Sequence, residues 1–336
     1  MTLAGVSCVS ARFCEAVGSS SRRLNAEKRD ASMEFANNPK TLAEAWNGHT
    51  WRLQHPVMPP GATFNALASV SCVSTMFCEA VGTHFDSAGN QVDLAEMWNG
   101  TSWQLQAIPG TSVQPMSVSC VTTSFCMEAN GFGQVAIWNG SSWSAGPAVT
   151  GFSPVTGVSC VSASFCEAVG SGPSGDNAAV WNGTTWTAQP TPGPASSFLS
   201  AVSCAAADSC EAVGSSANSV FQEVTFAEVW NGSAWTTQPI PNPKASQGSF
   251  LRAVSSTSAS SCTAVGDYQY FGGSFSNTLA EVWDGSKWSL RFSPNHPYAG
   301  HNTLNGVSCG ASSVCTAVGQ SQDIDWTEAT LIDTGD

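Results

Sequence analysis

Charge is scarce in this chain, and positive charge is scarcest. Only 10% of the 336 residues are charged, and 11 Lys and Arg stand against 24 Asp and Glu, which gives a formal net charge of −13. Because the chain has so few cations, it is poorly suited to bind a phosphate backbone or an anionic membrane surface. We therefore expect neither a nucleic-acid partner nor membrane insertion. No run of 18 apolar residues occurs, so we expect no transmembrane helix. A sustained helical period is also missing, which favours an all-β fold.

In place of charge, the chain has a repeated tryptophan phrase. Twelve of the 13 tryptophans lie in six copies of Trp-Asn/Asp-Gly-x-x-Trp, which begin at Trp46, Trp98, Trp138, Trp181, Trp230 and Trp283. Asn-Gly predicts a tight hairpin whose two turn residues adopt positive φ, with a loop of two or four residues. Either loop length places the paired tryptophans on one face of a sheet. The phrase therefore predicts a repeated β unit.

A second phrase, Val-Ser-Cys-x5-Cys-Glu-Ala-Val-Gly or a close variant, occurs seven times. With the hairpin it defines four short strands: A ends in Val-Ser-Cys, B is Cys-Glu-Ala-Val-Gly, C enters the first tryptophan, and D starts at the second. Four strands per unit of 40 to 64 residues predict a seven-bladed β-propeller. We expect one domain over residues 1–336, with blades that begin near residues 5, 69, 117, 157, 201, 252 and 306. The last blade is incomplete: residues 328–333 form a plausible strand C and the sequence then ends, so either this blade has three strands or the chain has been trimmed.

The thirteen cysteines indicate the compartment. Their x5 spacing, without nearby histidine, does not match zinc sites, so we expect no metal and no cofactor. Paired positions on an A–B hairpin predict six disulfides within blades: Cys8–Cys14, Cys72–Cys78, Cys120–Cys126, Cys160–Cys166, Cys204–Cys210 and Cys309–Cys315. Ser256 replaces one cysteine and leaves Cys262 free, which predicts covalent dimers if that thiol is partly exposed. Disulfides on this scale indicate an extracellular protein. No signal peptide precedes the first blade, and we interpret the chain as processed or cropped.

Two sets of glutamates also recur, one after the second cysteine and one before the first tryptophan. The sets are Glu15, Glu79, Glu167 and Glu211, then Glu44, Glu96, Glu228 and Glu281. A catalytic carboxylate pair would occur once, whereas a repeated carboxyl favours a structural task in every blade, such as accepting backbone or indole hydrogen bonds.

A binding site is expected where the loops vary. The A–B and C–D turns keep a fixed length, so all variation falls on the B–C loops and on the connections from D to the next A, which share the opposite face. Aromatic and basic residues are concentrated in such loops of blades 6, 7 and 1, which adjoin around the ring. The predicted ligand-binding residues are Tyr268, Tyr270, Phe271, His296, Tyr298 and Arg22.

The tryptophan hairpin resembles the Asp-box of sialidase-like propellers, Ser-x-Asp-x-Gly-x-Thr-Trp, through its glycine and second tryptophan, for example Gly100 and Trp103. The chain as a whole resembles secreted actinobacterial proteins with Val-Ser-Cys-x5-Cys repeats. The sialidase resemblance implies three arginines around a channel, but Arg12, Arg22, Arg23 and Arg29, four of the seven arginines, all lie in the first 29 residues, in blade 1. No Gly-x-Ser-x-Gly elbow supports a Ser-His-Asp hydrolase either.

The composition and the loops together favour an extracellular, non-catalytic binding module. Sugar rings stack on aromatic side chains and pair with amides, which favours a lectin-like, carbohydrate-binding function. The alternatives are a protein-interaction or cell-surface scaffold, and a glycoside hydrolase of sialidase-like fold. The expected partner is therefore a glycan or surface polysaccharide, or a protein.

Overall fold

The computed structural model describes residues 1–20, 39–109, 115–173, 175–270, 275–296, 299–310, 314–323 and 328–335, which form 27 β-strands and no helix. Blades 1 to 3 comprise β1 (Thr2–Ser10), β2 (Phe13–Ser20), β3 (Lys40–Trp46), β4 (Trp51–Gln54), β5 (Phe64–Ser74), β6 (Phe77–Phe85), β7 (Gln91–Trp98), β8 (Trp103–Gln106), β9 (Pro115–Thr122), β10 (Phe125–Asn130), β11 (Val135–Trp138) and β12 (Trp143–Ala145).

Blades 4 to 7 comprise β13 (Val155–Ser162), β14 (Phe165–Gly172), β15 (Gly175–Trp181), β16 (Trp186–Gln189), β17 (Ser197–Ala206), β18 (Ser209–Ala217), β19 (Glu223–Trp230), β20 (Trp235–Thr237), β21 (Gly248–Ser258), β22 (Ser261–Tyr270), β23 (Phe275–Trp283), β24 (Trp288–Arg291), β25 (Ala299–Cys309), β26 (Cys315–Asp323) and β27 (Glu328–Gly335). Within each blade the strands pair antiparallel in chain order. The seventh blade has three strands among the described residues.

Strand A of every blade lines a central channel. Three consecutive residues from each of the seven A strands surround a cavity of about 210 Å³, from Ala4–Val6 in blade 1 to Asn305–Val307 in blade 7. The predicted seven-bladed ring with strand A innermost is confirmed. The extent of the domain over residues 1–336 stays a prediction.

The serine of Val-Ser-Cys joins neighbouring blades. The backbone N–H of Cys72 donates to Ser7 Oγ of the preceding blade at 2.9 Å. The same bond, at 2.9–3.0 Å, occurs at all seven interfaces, with Cys or Ser256 as donor. Its last member runs from Cys8 N–H to Ser308 Oγ and closes blade 7 onto blade 1. Blade 7 therefore meets blade 1 through the same inner-strand bond that joins the other blades.

Cysteines and tryptophans form one row across each blade. In blade 1, Cys8 lies opposite Cys14, Cys14 opposite Trp46, and Trp46 opposite Trp51. The six predicted disulfides are confirmed, with Cα–Cα distances of 3.9–4.0 Å.

Cys262 remains a thiol, but the expected route to covalent dimers is wrong. Its side chain is buried, with 4% exposure, and its sulfur accepts a 2.6 Å hydrogen bond from Ser256 Oγ in place of the disulfide. Burial raises the pKa of the Cys262 thiol to about 12. A buried, protonated thiol does not exchange with solvent disulfides.

The tryptophan hairpin turns differ from the prediction at one residue. Only the glycine has positive φ, between 87° and 97° in the six copies, whereas the preceding Asn or Asp does not. Instead, Asn47 Oδ1 accepts the N–H groups of His49 and Thr50 at 2.9 and 3.0 Å, an arrangement that fixes the turn through the side chain. The first tryptophan then anchors the A–B turn, since Trp46 Nε1 donates to Ala11 O at 3.0 Å.

Candidate binding surface of blades 5 to 7

The glutamates that follow the second cysteine belong to a link between blades. In blade 1, Gln54 Nε2 donates to Glu15 Oε1 at 3.0 Å, and Gln54 Oε1 accepts the indole N–H of Trp103 in blade 2. Glutamine occupies this position, three residues after the second tryptophan, in four blades. The same two bonds join Glu79–Gln106–Trp143 and Glu167–Gln189–Trp235, and in blade 5 Gln238 Oε1 accepts the indole N–H of Trp288. The indole bond predicted for glutamate is therefore made through a glutamine.

Burial governs the charge of these carboxyls. Desolvation raises the pKa of Glu15, Glu79 and Glu167 to about 8, against the smaller opposing effect of the glutamine hydrogen bond. In the other set, Glu96 Oε2 accepts the backbone N–H of Val57 at 2.7 Å, as predicted for a structural carboxyl, and burial raises its pKa to about 7. These carboxyls stabilise contacts between neighbouring blades, and the candidate binding residues lie in the loops.

Glutamate and glutamine are replaced together where the link is absent. Blade 3 has Met127 and Gly146 at the two positions, and the buried Nε1 of Trp186, which faces them from blade 4, has no hydrogen-bond partner. Blade 6 has Thr263 and Arg291. Blade 7 has Thr316 and no described strand D. In the six blades with a described strand D, glutamate and glutamine thus occur together or not at all.

A serine and a histidine meet between blades 6 and 7. Ser276 Oγ lies 3.4 Å from His301 Nδ1, and Ser276 is buried. The nearby carboxyl of Asp267 accepts Arg252 Nε at 2.6 Å, and His301 also opposes the rise in the pKa of that carboxyl. The serine–histidine contact joins β23 to β25, which pair at these two residues.

Three B–C turns on the variable-loop face share one geometry. In blade 5, Asn218 Oδ1 accepts the N–H groups of Val220 and Gln222, each at 3.0 Å. Turns headed by Asp86 in blade 2 and Asn130 in blade 3 make the same bonds. The fourth turn residue has positive φ in all three, and it is glycine in blades 2 and 3. In blade 5 it is Phe221, with φ of 60° and 92% exposure.

The sequence analysis did not identify Phe221, although hydrogen bonds connect its turn to the predicted site. Gln222 Nε2 donates to Ser246 O in the connection to blade 6, and Gln247 N–H donates to Gln269 O at 2.8 Å. Gln269 lies between two of the predicted tyrosines. An apolar residue at the centre of a turn, where glycine or a polar residue usually stands, is the signal that could have found it.

The predicted residues of blade 6 form a cluster of rings. The centroids of Tyr268 and Tyr270 lie 6.5 Å apart, and Tyr270 stacks on Phe275 at 5.8 Å and 26°. Asn277 Nδ2 donates to Tyr268 Oη at 3.1 Å, which fixes that ring. We call Val220, Phe221, Tyr268, Tyr270 and Phe275 the aromatic surface.

The other predicted residues have different outcomes. The backbone N–H of His296 donates to Asn302 Oδ1 of blade 7 at 2.9 Å, which places His296 at the junction of blades 6 and 7. Arg22, Phe271 and Tyr298 lie outside the described residues.

One cation lies at the channel beside this cluster. Arg252 is the single charged residue among the described residues that line the channel, and its side chain is 45% exposed. Its partner Asp267 is buried, and desolvation raises the pKa of that carboxyl although Arg252 opposes the shift. No group of His, Cys, Asp and Glu within the described ranges is arranged to hold a metal ion.

Comparison with known proteins bears on the fold. No protein-family model matches the chain, and no curated protein matches it. Among solved structures, the RRP9 WD40 repeats match with a TM-score of 0.65 and 11% identity over 100% of this chain and 95% of that one. The WD40 β-propeller domain of Doa1 matches with a TM-score of 0.63 and 10% identity over 98% and 92%. The fold is a WD40-like β-propeller.

A third structure, YCF48 bound to a D1 peptide, matches with a TM-score of 0.59 and 12% identity over 100% of this chain and 94% of that one. Identities this low show the fold alone. The Asp-box resemblance stays a prediction. Six disulfides fit an extracellular protein, and the described residues contain no helix that could span a membrane.

Proposed function

We propose that this protein is a non-catalytic, extracellular binding propeller that holds a protein or peptide partner on its aromatic surface. The observation that carries the proposal is Phe221. A non-glycine residue in the left-handed region costs on the order of 1 kcal/mol or more, and such strain concentrates at functional positions. Here the strain holds a phenylalanine ring in solvent, where it contributes nothing to the core.

The surroundings support an interface. Aromatic side chains dominate the energetics of protein interfaces, most of all when a rigid scaffold presents them. Asn218 braces the turn of Phe221, and hydrogen bonds through Gln222 and Gln247 connect that turn to the tyrosines of blade 6. One structural neighbour, YCF48, is described as bound to a peptide.

Peptide display on the intact chain tests this proposal. Peptides selected on the parent protein are expected to lose binding to the Phe221→Gly variant, since glycine occupies this turn position in blades 2 and 3 without harm to the fold. Phe132→Ser is the matched control, because Phe132 is an exposed phenylalanine, at 70%, in the corresponding turn of blade 3. If the selected peptides bind Phe221→Gly as they bind the parent, the aromatic surface is not the site.

Carbohydrate binding is the second candidate, and the stacked rings of Tyr270 and Phe275 favour it. A sugar face can stack on such rings, while amides such as Asn277 pair with hydroxyls. We expect weak affinity for each sugar, so a glycan array with multivalent display is the appropriate measurement. Tyr268→Ala combined with Tyr270→Ala should abolish a positive signal. A signal that survives in this double variant would place the sugar elsewhere.

A further inference from the structure

Each inner strand carries a bulge at the central channel. In blade 6 the pairing of β21 with β22 shifts register between Leu251 and Ala253, which leaves Arg252 as the extra residue. The same shift occurs in all seven blades, and all seven extra residues line the cavity of about 210 Å³. They are Ala4, Ala68, Met116, Thr156, Ser200, Arg252 and Asn305. Because a bulge re-aims its side chain, this position presents side chains to the channel.

Arg252 differs from the other polar residues at this position in what it bonds. Thr156 Oγ1 donates to Leu199 O of the next blade at 2.6 Å, and Asn305 Nδ2 donates to Leu3 O at 3.0 Å. Arg252 instead donates through Nε to Asp267 Oδ1 of its own blade. A guanidinium has five N–H groups, and no described residue accepts from the four on the terminal nitrogens. Asp267 thus fixes the guanidinium and leaves its terminal fork open.

Backbone N–H groups of the inner strands also face the channel. In β21 the N–H of Ser256 donates away from β22, to Ser203 Oγ of blade 5 at 2.9 Å. Alternate residues of an antiparallel strand point their N–H groups the same way, so the N–H of Val254 points away from β22 as well. In blades 3 and 4 the corresponding group has an acceptor: Val118 N–H donates to Ser69 Oγ at 3.2 Å, and Val158 N–H to Ser117 Oγ at 3.1 Å.

The accepting serine is replaced by alanine on both sides of Arg252. Ala201 of blade 5 stands where a serine would face Val254, and Ala253 stands where a serine would face Val307. Neither N–H has a side-chain acceptor within the described part of the chain. The carbonyl groups of the same residues also point away from strand B, so the backbone favours neither sign of charge. Arg252 alone therefore makes the cavity suitable for an anion.

The size and charge of the cavity limit the ligand. Its volume of about 210 Å³ is below the range of roughly 300–1,000 Å³ that is usual for drug-sized ligands. The terminal fork of a guanidinium matches the two oxygens of a carboxylate. One arginine, already paired with Asp267, is poorly matched to a doubly charged phosphate in a chain of net charge −13. A small, singly charged carboxylate fits best.

We propose that the central channel binds a small organic carboxylate, held by the terminal N–H groups of Arg252 and the backbone N–H groups of Val254 and Val307. Asp267 positions the guanidinium and offsets part of its charge, so binding is weak and falls as ionic strength rises. The site lies on the inner strands, whereas Phe221 lies in a B–C turn, so this proposal does not depend on the aromatic surface.

Acetate is the probe, and acetamide, which has the same shape without the charge, is its control. Saturation-transfer difference NMR on the intact chain, at constant ionic strength, measures both. We expect saturable binding of acetate and binding of acetamide that is weaker by about tenfold or more, since a charge-assisted bond to guanidinium is lost. Absence of saturable acetate binding would overturn the inference, and so would equal binding of acetamide.

Three variants assign the site. Arg252→Gln should abolish acetate binding, whereas Arg52→Gln, which removes an exposed arginine of β4 and changes the net charge equally, should retain it. Asp267→Asn keeps an acceptor for Arg252 Nε but removes the offsetting charge, so it should bind acetate more tightly than the parent. Acetate binding that survives in Arg252→Gln would contradict the assignment. If that variant does not fold, Asp267→Asn decides, and affinity no higher than the parent's would reject the site.

Phe221→Gly separates this proposal from the peptide site. That variant should bind acetate as the parent does, because its change lies outside the channel. Loss of acetate binding in Phe221→Gly would place the carboxylate at the aromatic surface and overturn the channel site.

Discussion

The link between Glu167, Gln189 and Trp235 offers a direct test of what joins the blades. Gln189 Nε2 donates to Glu167 Oε1 at 3.1 Å, and Gln189 Oε1 accepts Trp235 Nε1 at 2.6 Å. Gln189→Met keeps the side-chain length but removes both bonds. It leaves the indole N–H of Trp235, which is 3% exposed, without an acceptor. An unsatisfied buried donor costs about 1–3 kcal/mol, so we expect the free energy of unfolding to fall by that amount.

The double variant separates this link from simple packing. Glu167→Met together with Gln189→Met removes both polar side chains, as blade 3 does with Met127 and Gly146. The double variant leaves the indole without an acceptor. Gln189→Met alone leaves Glu167 Oε1 unpaired as well, and Glu167→Met alone leaves Gln189 Nε2 unpaired. The double variant should therefore cost less than the sum of the singles by roughly 1 kcal/mol or more, a value typical of coupled neighbours.

Urea unfolding, followed by circular dichroism, measures these differences. Gln104→Met is the matched control, because Gln104 lies on the exposed side of β8 and its loss should change stability by less than about 0.5 kcal/mol. Strict additivity of the two single variants, within about 0.5 kcal/mol, would refute the conclusion that glutamate and glutamine act as one unit.

Three further outcomes are expected. Glu15 and the similar buried glutamates have a folded pKa of about 8 against an ordinary 4.5, so their contribution to stability is complete below pH 4.5 and is lost as pH rises toward 8; thermal melts at pH 5 and pH 8.5 should show the higher Tm at pH 5, and Glu167→Gln should reduce the difference. Ser256→Cys should form a seventh disulfide with Cys262 and stabilise the fold by up to about 2.4 kcal/mol, with loss of 2 Da and of the free thiol on mass spectrometry; a persistent thiol would contradict it. Phe221→Gly should raise stability by up to about 1 kcal/mol by relief of the left-handed backbone, and a marked drop in Tm would show that the ring has a packing role.

The fold could be predicted because its determinants are local and repeated. A cysteine pair six residues apart and a tryptophan pair five apart each define a hairpin, and the register Cys8–Cys14–Trp46–Trp51 follows when the hairpins join. Local patterns, however, do not show which residues meet between blades. Ser7 and Gln54 act across an interface, so their roles appear only when blade 2 is stacked on blade 1.

The candidate site was only partly predictable for the same reason. Tyr268 and Tyr270 were found because tyrosine is rare in this chain, and His296 because its loop is unusual. Phe221 was missed because its significance depends on a backbone angle. The prediction for the turn was wrong for a related reason: two positive φ values are common in an Asn-Gly turn, whereas here the Asn47 side chain accepts hydrogen bonds that hold the turn with one.

Blade 6 shows how a repeat protein can separate scaffold from function. The disulfides, the serine bonds between inner strands and the glutamate–glutamine pairs stabilise the fold in most blades. A blade that lacks some of them is therefore stabilised by fewer of these repeated contacts. Blade 6 departs at Ser256, at Thr263 and at Arg291, yet its core and its serine bond to blade 5 remain. The same blade brings Arg252 to the channel and two tyrosines to the loop face. These departures therefore lie in the blade that supplies Tyr268, Tyr270 and Phe275 to the aromatic surface that we propose for binding.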